Sequence, residues 1–355
     1  MAVDATGNVY VAGNTSSPDF PTTAGAFNTS AQSNFLFKLN ADGSVGYSTF
    51  FSNAASVSGI AVDAAGEVYL AGAAMSGFPV TASAYLQTFT GATCQFGGIF
   101  CFPTENGFLT KFDPAGAKLI FSTFLPPVST GPALALANDG TAYLSNVSPG
   151  VIAHVNANGS ALLASINGPG GAARVGPMAV GGDGNLYVAA SVDAPVFNFP
   201  GTPGAFQPAA VPVPILPGID QNDGSQAFLV KFDPQSGQIL AETLLSGFYG
   251  DAINGIAFDA SGNVVVGGST APQGFPTRTP IASSFSSASG FLSVLAPDLS
   301  NLLFSTYLGD TERFYVQGVA VSSDGDLLIA GARRFMYSRI ASFPPRRLRY
   351  ASIPC

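Results

Sequence analysis

VDATGNVYVAG (3–13) returns as VDAAGEVYLAG (62–72), LANDGTAYLS (136–145), VGGDGNLYVAA (180–190), FDASGNVVVGG (258–268) and VSSDGDLLIAG (321–331). Anchored on Gly7, Gly66, Gly140, Gly184, Gly262 and Gly325, the copies lie 59, 74, 44, 78 and 63 residues apart, so one unit repeats with insertions. A second piece follows five of them: FLFKLNADG (35–43), FLTKFDPAG (108–116), VIAHVNANG (151–159), FLVKFDPQSG (228–237) and FLSVLAPDLS (291–300). A third comes soon after, as YSTFF (47–51), FSTFL (121–125), LLASI (162–166), AETLL (241–245) and FSTYL (304–308).

Each unit therefore reads as four short strands rich in Val, Phe, Tyr, Leu and Ile, separated by turns such as DATG, NADG and DPAG. The turn Asp or Asn accepts a hydrogen bond from backbone two residues on, and Gly supplies positive φ without a Cβ clash. In FLFKLN, Phe35, Phe37 and Leu39 share one face of the strand while Leu36 and Lys38 share the other. A small sheet that is apolar on both faces needs cover on both, which radial stacking between neighbouring blades provides. The expected fold is an all-β propeller of four-stranded antiparallel blades, about six of them, the last incomplete. No sustained 3.6-residue pattern supports the helices of a doubly wound α/β protein.

Composition agrees. Hydrophobic residues make up 47% and charged residues 10%, enough for a large core and contrary to natural disorder, while Gly 42 and Pro 26 without a three-residue period indicate turns and not collagen. A net charge of -8 repels phosphate backbones and argues against nucleic acid as a partner. Apolar runs are too short to span a bilayer as a helix. Met1 runs straight into AVDATGNVYVAG with no secretory signal, which implies a cytoplasmic protein or a chain lacking its true start.

The propeller is expected over residues 1–331, and 332–355 as an atypical basic tail: Arg333, Arg334, Arg339, Arg346, Arg347 and Arg349 fall in the last 23 residues. That abrupt shift reads as foreign to the repeat, as from a truncated or frame-shifted reading frame, with a flexible basic end as the alternative. Long connections (14–34, 73–107, 191–227, 269–290) follow the second strand of a unit and collect on one rim, where a repeat scaffold places recognition. Within them DFPTTAGAF (19–27), GFPVTASAY (77–85), NFPGTPGAF (198–206) and GFPTRTPIASSF (274–285) recur, and their Phe-Pro and later aromatic are expected to pin each loop to its blade. The Pro-rich stretch 207–224 is expected to be a stiff surface loop.

These patterns, taken together as GNVYVAGNTSSPDFPTTAGAF, FLFKLNADGS, YSTFFS and FSTYLGD, resemble the bacterial SBBP-type β-propeller repeat, a family distantly similar to NHL-type propellers. The resemblance covers roughly residues 2–331. It implies a secreted or cell-surface protein, in a family that often accompanies immunoglobulin-like or other adhesive modules and generally lacks a defined activity. The third blade is degraded, and the tail departs from the pattern.

No GxSxG elbow, HExxH helix or close His/Cys/Asp set is present. His154 stands where other units carry Lys38, Lys111 and Lys231, and reads as structural. The recurrent aspartates are explained by turns; calcium is the remaining alternative, without the DxDxDG run of an EF-hand, and no other cofactor is expected. Asp251, Asp310 and Glu312 lie between blades and are the candidates for a channel mouth, although a salt-linked or loop-capping role is the leading reading of them. Cys94 and Cys101 bracket CQFGGIFC, whose glycines allow a local disulfide in an oxidising compartment, with free thiols the alternative. The expected protein is a non-enzymatic scaffold that binds a protein or glycan through its loop-rich face, outside the cell or on its surface. It is expected to be a monomer or part of a larger repeat polypeptide. The competing reading is a propeller enzyme of lyase, lactonase or quinoprotein type.

Overall fold

A computed structural model describes the chain apart from residues 53–54, 96–99, 104, 129–130, 149–150, 168–173, 194–198, 200, 210–224, 249, 272–273, 284–288, 310–313, 334–348 and 353–355. Among the described residues the fold is all-β and without helix, so none of them forms a helix able to cross a membrane.

The first blade holds β1 (Ala2–Val3), β2 (Val9–Asn14), β3 (Asn34–Leu39) and β4 (Val45–Ser52) in that order. The second holds β5 (Ala55–Val62), β6 (Val68–Ala74), β9 (Glu105–Phe112) and β10 (Leu119–Val128). Between β6 and β9 a two-stranded hairpin is inserted, β7 (Ala92–Gln95) and β8 (Phe100–Pro103). The third blade is β11 (Leu134–Leu136), β12 (Ala142–Ser148), β13 (Val151–Val155) and β14 (Leu162–Asn167). The fourth is β15 (Arg174–Val180), β16 (Leu186–Asp193), β17 (Ser225–Phe232) and β18 (Ile239–Leu244). The fifth is β19 (Ala252–Phe258), β20 (Val264–Thr270), β21 (Ser289–Leu295) and β22 (Leu302–Leu308). The sixth is incomplete: β23 (Phe314–Val321) and β24 (Leu327–Arg333) pair antiparallel, and β25 (Arg349–Ser352), from the basic tail, lies parallel to β24. Blades one to three belong to a compact unit, Met1–Gly168, and blades four to six to a second, Pro169–Cys355.

Register explains why both faces of each blade are apolar. Cross-strand partners share a face. In blade two Val62, Val68, Phe112 and Leu119 are mutual partners in one row, and Ala61, Tyr69, Lys111 and Phe121 in the row beside it on the opposite face. We call the first the leading face and the second the trailing face. Tyr10, Leu36, Tyr47 and Phe51 on the trailing face of blade one pack with Val68, Leu70, Phe108 and Phe112 on the leading face of blade two. The same joint recurs between blades two and three, where Tyr69, Leu109 and Phe121 meet Leu144 and Val155. In the second unit it joins blades four and five through Tyr187 and Leu229 against Val264 and Leu295, and blades five and six through Val265 and Leu292 against Val316 and Ile329. Each fully buried Val, Leu or Phe in such a joint contributes roughly 1.5–3 kcal/mol.

Candidate functional site

The trailing row has a repeated chemistry. Ala–Tyr–Lys partners run across blades one (Ala2, Tyr10, Lys38), two (Ala61, Tyr69, Lys111) and four (Ala179, Tyr187, Lys231), and His154 replaces Lys in blade three beside Tyr143. The ammonium lies over the tyrosine ring, 4.6 Å from its centroid in Lys111 and 5.3 Å in Lys231. Turn carboxylates complete the group. Lys111 pairs with Glu67 and, at 3.3 Å, with Asp63. Lys231 pairs with Asp183 at 2.8 Å and donates to the Pro297 carbonyl at 3.1 Å, while the Tyr187 hydroxyl lies between the same two acceptors, 3.0 Å from Asp183 Oδ2 and 2.9 Å from Pro297 O, which share its one proton.

Partial burial alone would push Asp183 up, but donors from Lys231, Asn185 and Tyr187 outweigh it and hold the carboxyl at about 2. Burial works against the Lys231 charge, yet Asp183 and Tyr187 overcome it and raise the ammonium above its ordinary value. Tyr10 is pushed up to about 12 by burial and by the Asp4 carboxylate that accepts its hydroxyl. These groups are held in protonation states suited to permanent bonds; Lys231 and Tyr187 reach from blade four into blade five. His154 stacks on Tyr143 at 4.3 Å, its Nε2 is buried without a hydrogen-bond partner, and desolvation lowers its pKa below the usual histidine value. The recurrent aspartates also close their turns, as when Asp259 Oδ1 accepts from Ser261 and Asn263 backbone amides at 2.9 Å each.

Asp251 precedes β19 and is fully buried. Its Oδ2 accepts from Ser246 Oγ at 2.6 Å and Gly247 N at 2.8 Å, and its Oδ1 from Thr270 Oγ1 at 2.5 Å. Its own amide donates to the Ser225 carbonyl at 3.0 Å. Ser225 and Ser246 belong to blade four and its exit, and Thr270 to blade five, so one carboxylate ties two blades. Desolvation raises its pKa to about 6 against the pull of the three donors. Asp251 is thus an internal latch, in keeping with the loop-capping role that the sequence favours for it. Asp310 and Glu312 lie outside the described residues.

The local disulfide is corrected. Among the described residues no disulfide is found, and Cys94 and Cys101 are instead register partners across β7 and β8. Backbone pairing from Ala92↔Pro103 to Gln95↔Phe100 already closes this hairpin, so the turn-back that the glycines permit needs no covalent link.

The long connections are built by one device that sequence reading only half revealed. Phe20, Phe78, Phe199 and Phe275 lie 4.6, 4.5, 5.4 and 4.4 Å from the rings of Phe35, Phe108, Phe228 and Phe291 on the third strand of their own blades. The chain then runs along the outermost strand: Thr23, Thr81, Thr202 and Arg278 donate backbone N–H to the carbonyls of Ser48, Ser122, Glu242 and Ser305. Ser48, Ser122 and Ser305 return a hydroxyl to the Pro21, Pro79 and Pro276 carbonyls at 2.5, 2.6 and 2.7 Å. Thr49, Thr123, Thr243 and Thr306 accept from the next loop amides, Asn28, Leu86, Gln207 and Ile281. Finally Phe27, Tyr85 and Phe206 donate backbone N–H to Gly116, Gly159 and Leu299 in a turn of the following blade, at 3.0, 2.9 and 2.9 Å. The loop covers an edge strand that would otherwise be free to pair with another chain.

The recurring Ser-Thr of YSTF, FSTF and FSTY is the signal for this clamp, and blade three proves the rule. With only residues 149–150 between β12 and β13, it places Ile166 at the threonine register, and Ser165 at the serine register is exposed. We expect Ser122→Ala to cost about 1–2 kcal/mol by stranding the Pro79 carbonyl and Thr110 hydroxyl, and Ser165→Ala to stay within about 0.5 kcal/mol, both read from urea unfolding. Equal costs would remove the clamp as the reason for the serine.

Among the described residues no group of three or more His, Cys, Asp or Glu is placed to hold a metal ion. No family model matches the chain. No curated protein matches it either. Among solved structures, the chain is similar to a chain of a nidogen/laminin complex (12% identity, TM-score 0.43, 92% of this chain and 86% of that one). It is also similar to a protein from Lactobacillus plantarum (11%, 0.46, 92% and 76%) and to a protein of unknown function from Bacteroides caccae (9%, 0.35, 77% and 90%). The blade reading rests on the sheets and their register.

Proposed function

We propose that this chain is a non-enzymatic propeller scaffold of the SBBP repeat type, working outside the cell or on its surface and holding a protein or glycan partner on its loop-rich rim. The clamp carries this reading. It fixes each connection through backbone groups and a Phe-Pro pair, leaving the stretch before the anchor free in length and composition. Ser16–Asp19 are exposed immediately before docked Phe20, and Met75–Gly77 immediately before buried Phe78. Anchored loops with variable tips suit recognition because the scaffold absorbs the ordering cost before the partner arrives. The resemblance of the repeat adds the surface location. Meanwhile Asp251, Lys231 and Tyr187 are spent on blade-to-blade bonds.

The test is binding of the intact chain to peptide and glycan arrays, repeated after Ser16–Asp19 and Met75–Gly77 are exchanged for Gly-Ser of equal length. Saturable binding that weakens about tenfold or more on exchange, with unchanged unfolding midpoint, is expected. Binding indifferent to both tips, or turnover of a lyase or lactonase substrate by the pure protein, would remove the proposal.

A further inference from the structure

In blades one, two, four and five the outermost strand is covered in one way. The residue at the serine register spends both backbone groups on the loop: Ser122 donates its N–H to Thr81 Oγ1 at 3.1 Å and accepts the Thr81 amide at 2.9 Å. Ser48 does the same with Thr23 and Glu242 with Thr202, while Ser305 exchanges both bonds with the Arg278 backbone. Two residues on, Phe50, Phe124, Leu244 and Tyr307 each donate N–H to a loop carbonyl. The bridges Leu86↔Phe124 and Arg278↔Ser305 are antiparallel, so the loop acts as a short fifth strand.

Blade three, inside the Met1–Gly168 unit, has the edge without the cover. Ala153↔Ser165 repeats the register of Thr110↔Ser122, which turns the Ser165 N–H and C=O outward as in Ser122. Among the described residues neither group has a partner, Ser165 is exposed and Leu163 is 53% exposed. The strand reads LLASIN, without the charge or proline that usually guards an edge. Val151, half-buried, stands where Phe108 receives the ring of Phe78 in blade two.

We propose that the outer edge of β14 takes an extended segment of a partner protein, added antiparallel as a fifth strand. The covering loops state the chemistry of that occupant. In three of them a threonine meets the serine-register residue three positions after a docked phenylalanine: Phe20 and Thr23, Phe78 and Thr81, Phe199 and Thr202. The partner segment therefore carries an apolar anchor toward Val151 and, three residues later, a residue whose amide donates to the Ser165 carbonyl. Thr or Ser at that place also accepts the Ser165 N–H. Main-chain bonds supply the affinity and the anchor the selectivity. The site lies apart from the tips Ser16–Asp19 and Met75–Gly77, so its occupancy stands or falls independently of theirs.

The probe is a fluorescent peptide with the sequence of the second-blade loop, GFPVTASAYL (77–86), titrated onto the intact chain and followed by anisotropy. Saturable one-to-one binding below about 1 mM is expected, with slowed hydrogen exchange at the Ser165 amide. N-methylation of the threonine in the peptide removes the amide owed to the Ser165 carbonyl, and is expected to weaken binding about tenfold or more. Ser165→Pro should do the same with an unchanged unfolding midpoint, because proline is tolerated where an edge N–H faces outward. Should that variant fail to fold, the methylated peptide and the hydrogen exchange decide alone. No saturable binding, binding indifferent to N-methylation, protection on β10 in place of β14, or dimerisation of the peptide-free chain that Ser165→Pro abolishes would each overturn the proposal.

Discussion

Asp251→Ala lowers the stability of the Pro169–Cys355 unit by about 3 kcal/mol at pH 7, the cost of leaving the Ser246, Gly247 and Thr270 donors buried without an acceptor. The hydroxyls can turn toward other acceptors, but the Gly247 N–H is fixed by the backbone. The pH dependence adds a second handle. The folded carboxyl has a pKa of about 6, above the ordinary 3.8, so the folded state binds the proton more tightly than the unfolded one. Its contribution therefore grows as pH falls through 6, opposite to the behaviour of Asp183, whose depressed pKa gives stability that is lost only as pH falls toward 2. The gap between wild type and Asp251→Ala should widen by on the order of 1 kcal/mol between pH 7 and pH 5. Urea titrations at the two pH values measure it. A gap that narrows on acidification would mean that the three donors, and not desolvation, govern this carboxylate.

Gly268→Ala and Gly72→Ala should be more damaging still, about 4 kcal/mol or more. Each glycine ends the VVGG or YLAG run on the second strand and faces a bulge in the first. Pairing skips from Val57 to Gly59 opposite Gly72, and from Ile253 to Gly255 opposite Gly268. A Cβ on Gly72 would lie 1.9 Å from the Ser56 carbonyl oxygen and 2.7 Å from the Phe108 ring; on Gly268 it would lie 1.9 Å from the Ala252 oxygen. Backbone meets backbone, so no rotamer change relieves the clash. Blade four is the internal control. There the skip runs from Val175 to Met178, past Gly176 and Pro177, and the residue at the corresponding place is Ala190. Gly25→Ala, where φ is +78° but nothing lies within 4 Å, should cost only the left-handed backbone, about 1–2 kcal/mol. Thermal unfolding and soluble yield separate these cases; a Gly268→Ala protein within about 1 kcal/mol of wild type would refute the bulge argument.

The bulge also explains the glycines that end YLAG and VVGG: the close approach lies inside one sheet, where the first strand's extra residue drives its carbonyl toward the second. Recurrence of Gly was legible; the bulge was not, because it depends on pairing two strands whose register the repeat does not state. The clamp was legible in the same partial way. Phe-Pro recurs in blades one, two, four and five, with Ser-Thr in three of them and Glu242-Thr243 in the fourth, and the loop is missing from blade three, yet only the tertiary structure shows that Ser122 donates to Pro79 and that Tyr85 reaches the turn of the next blade. His154 was rightly placed among the lysines, since it partners Tyr143 as Lys111 partners Tyr69.

By itself the sequence determined the strand count of a blade, the turns between strands and the apolar character of both faces, because these follow from period-2 patterning and turn chemistry within a few residues. Tertiary structure alone decided that Asp251 ties two blades through Ser246, Gly247 and Thr270, and that Cys94 and Cys101 become register partners in a hairpin. Those outcomes depend on which distant strands become neighbours and how much water they exclude, and burial and distance are properties of the packed chain that no local pattern encodes.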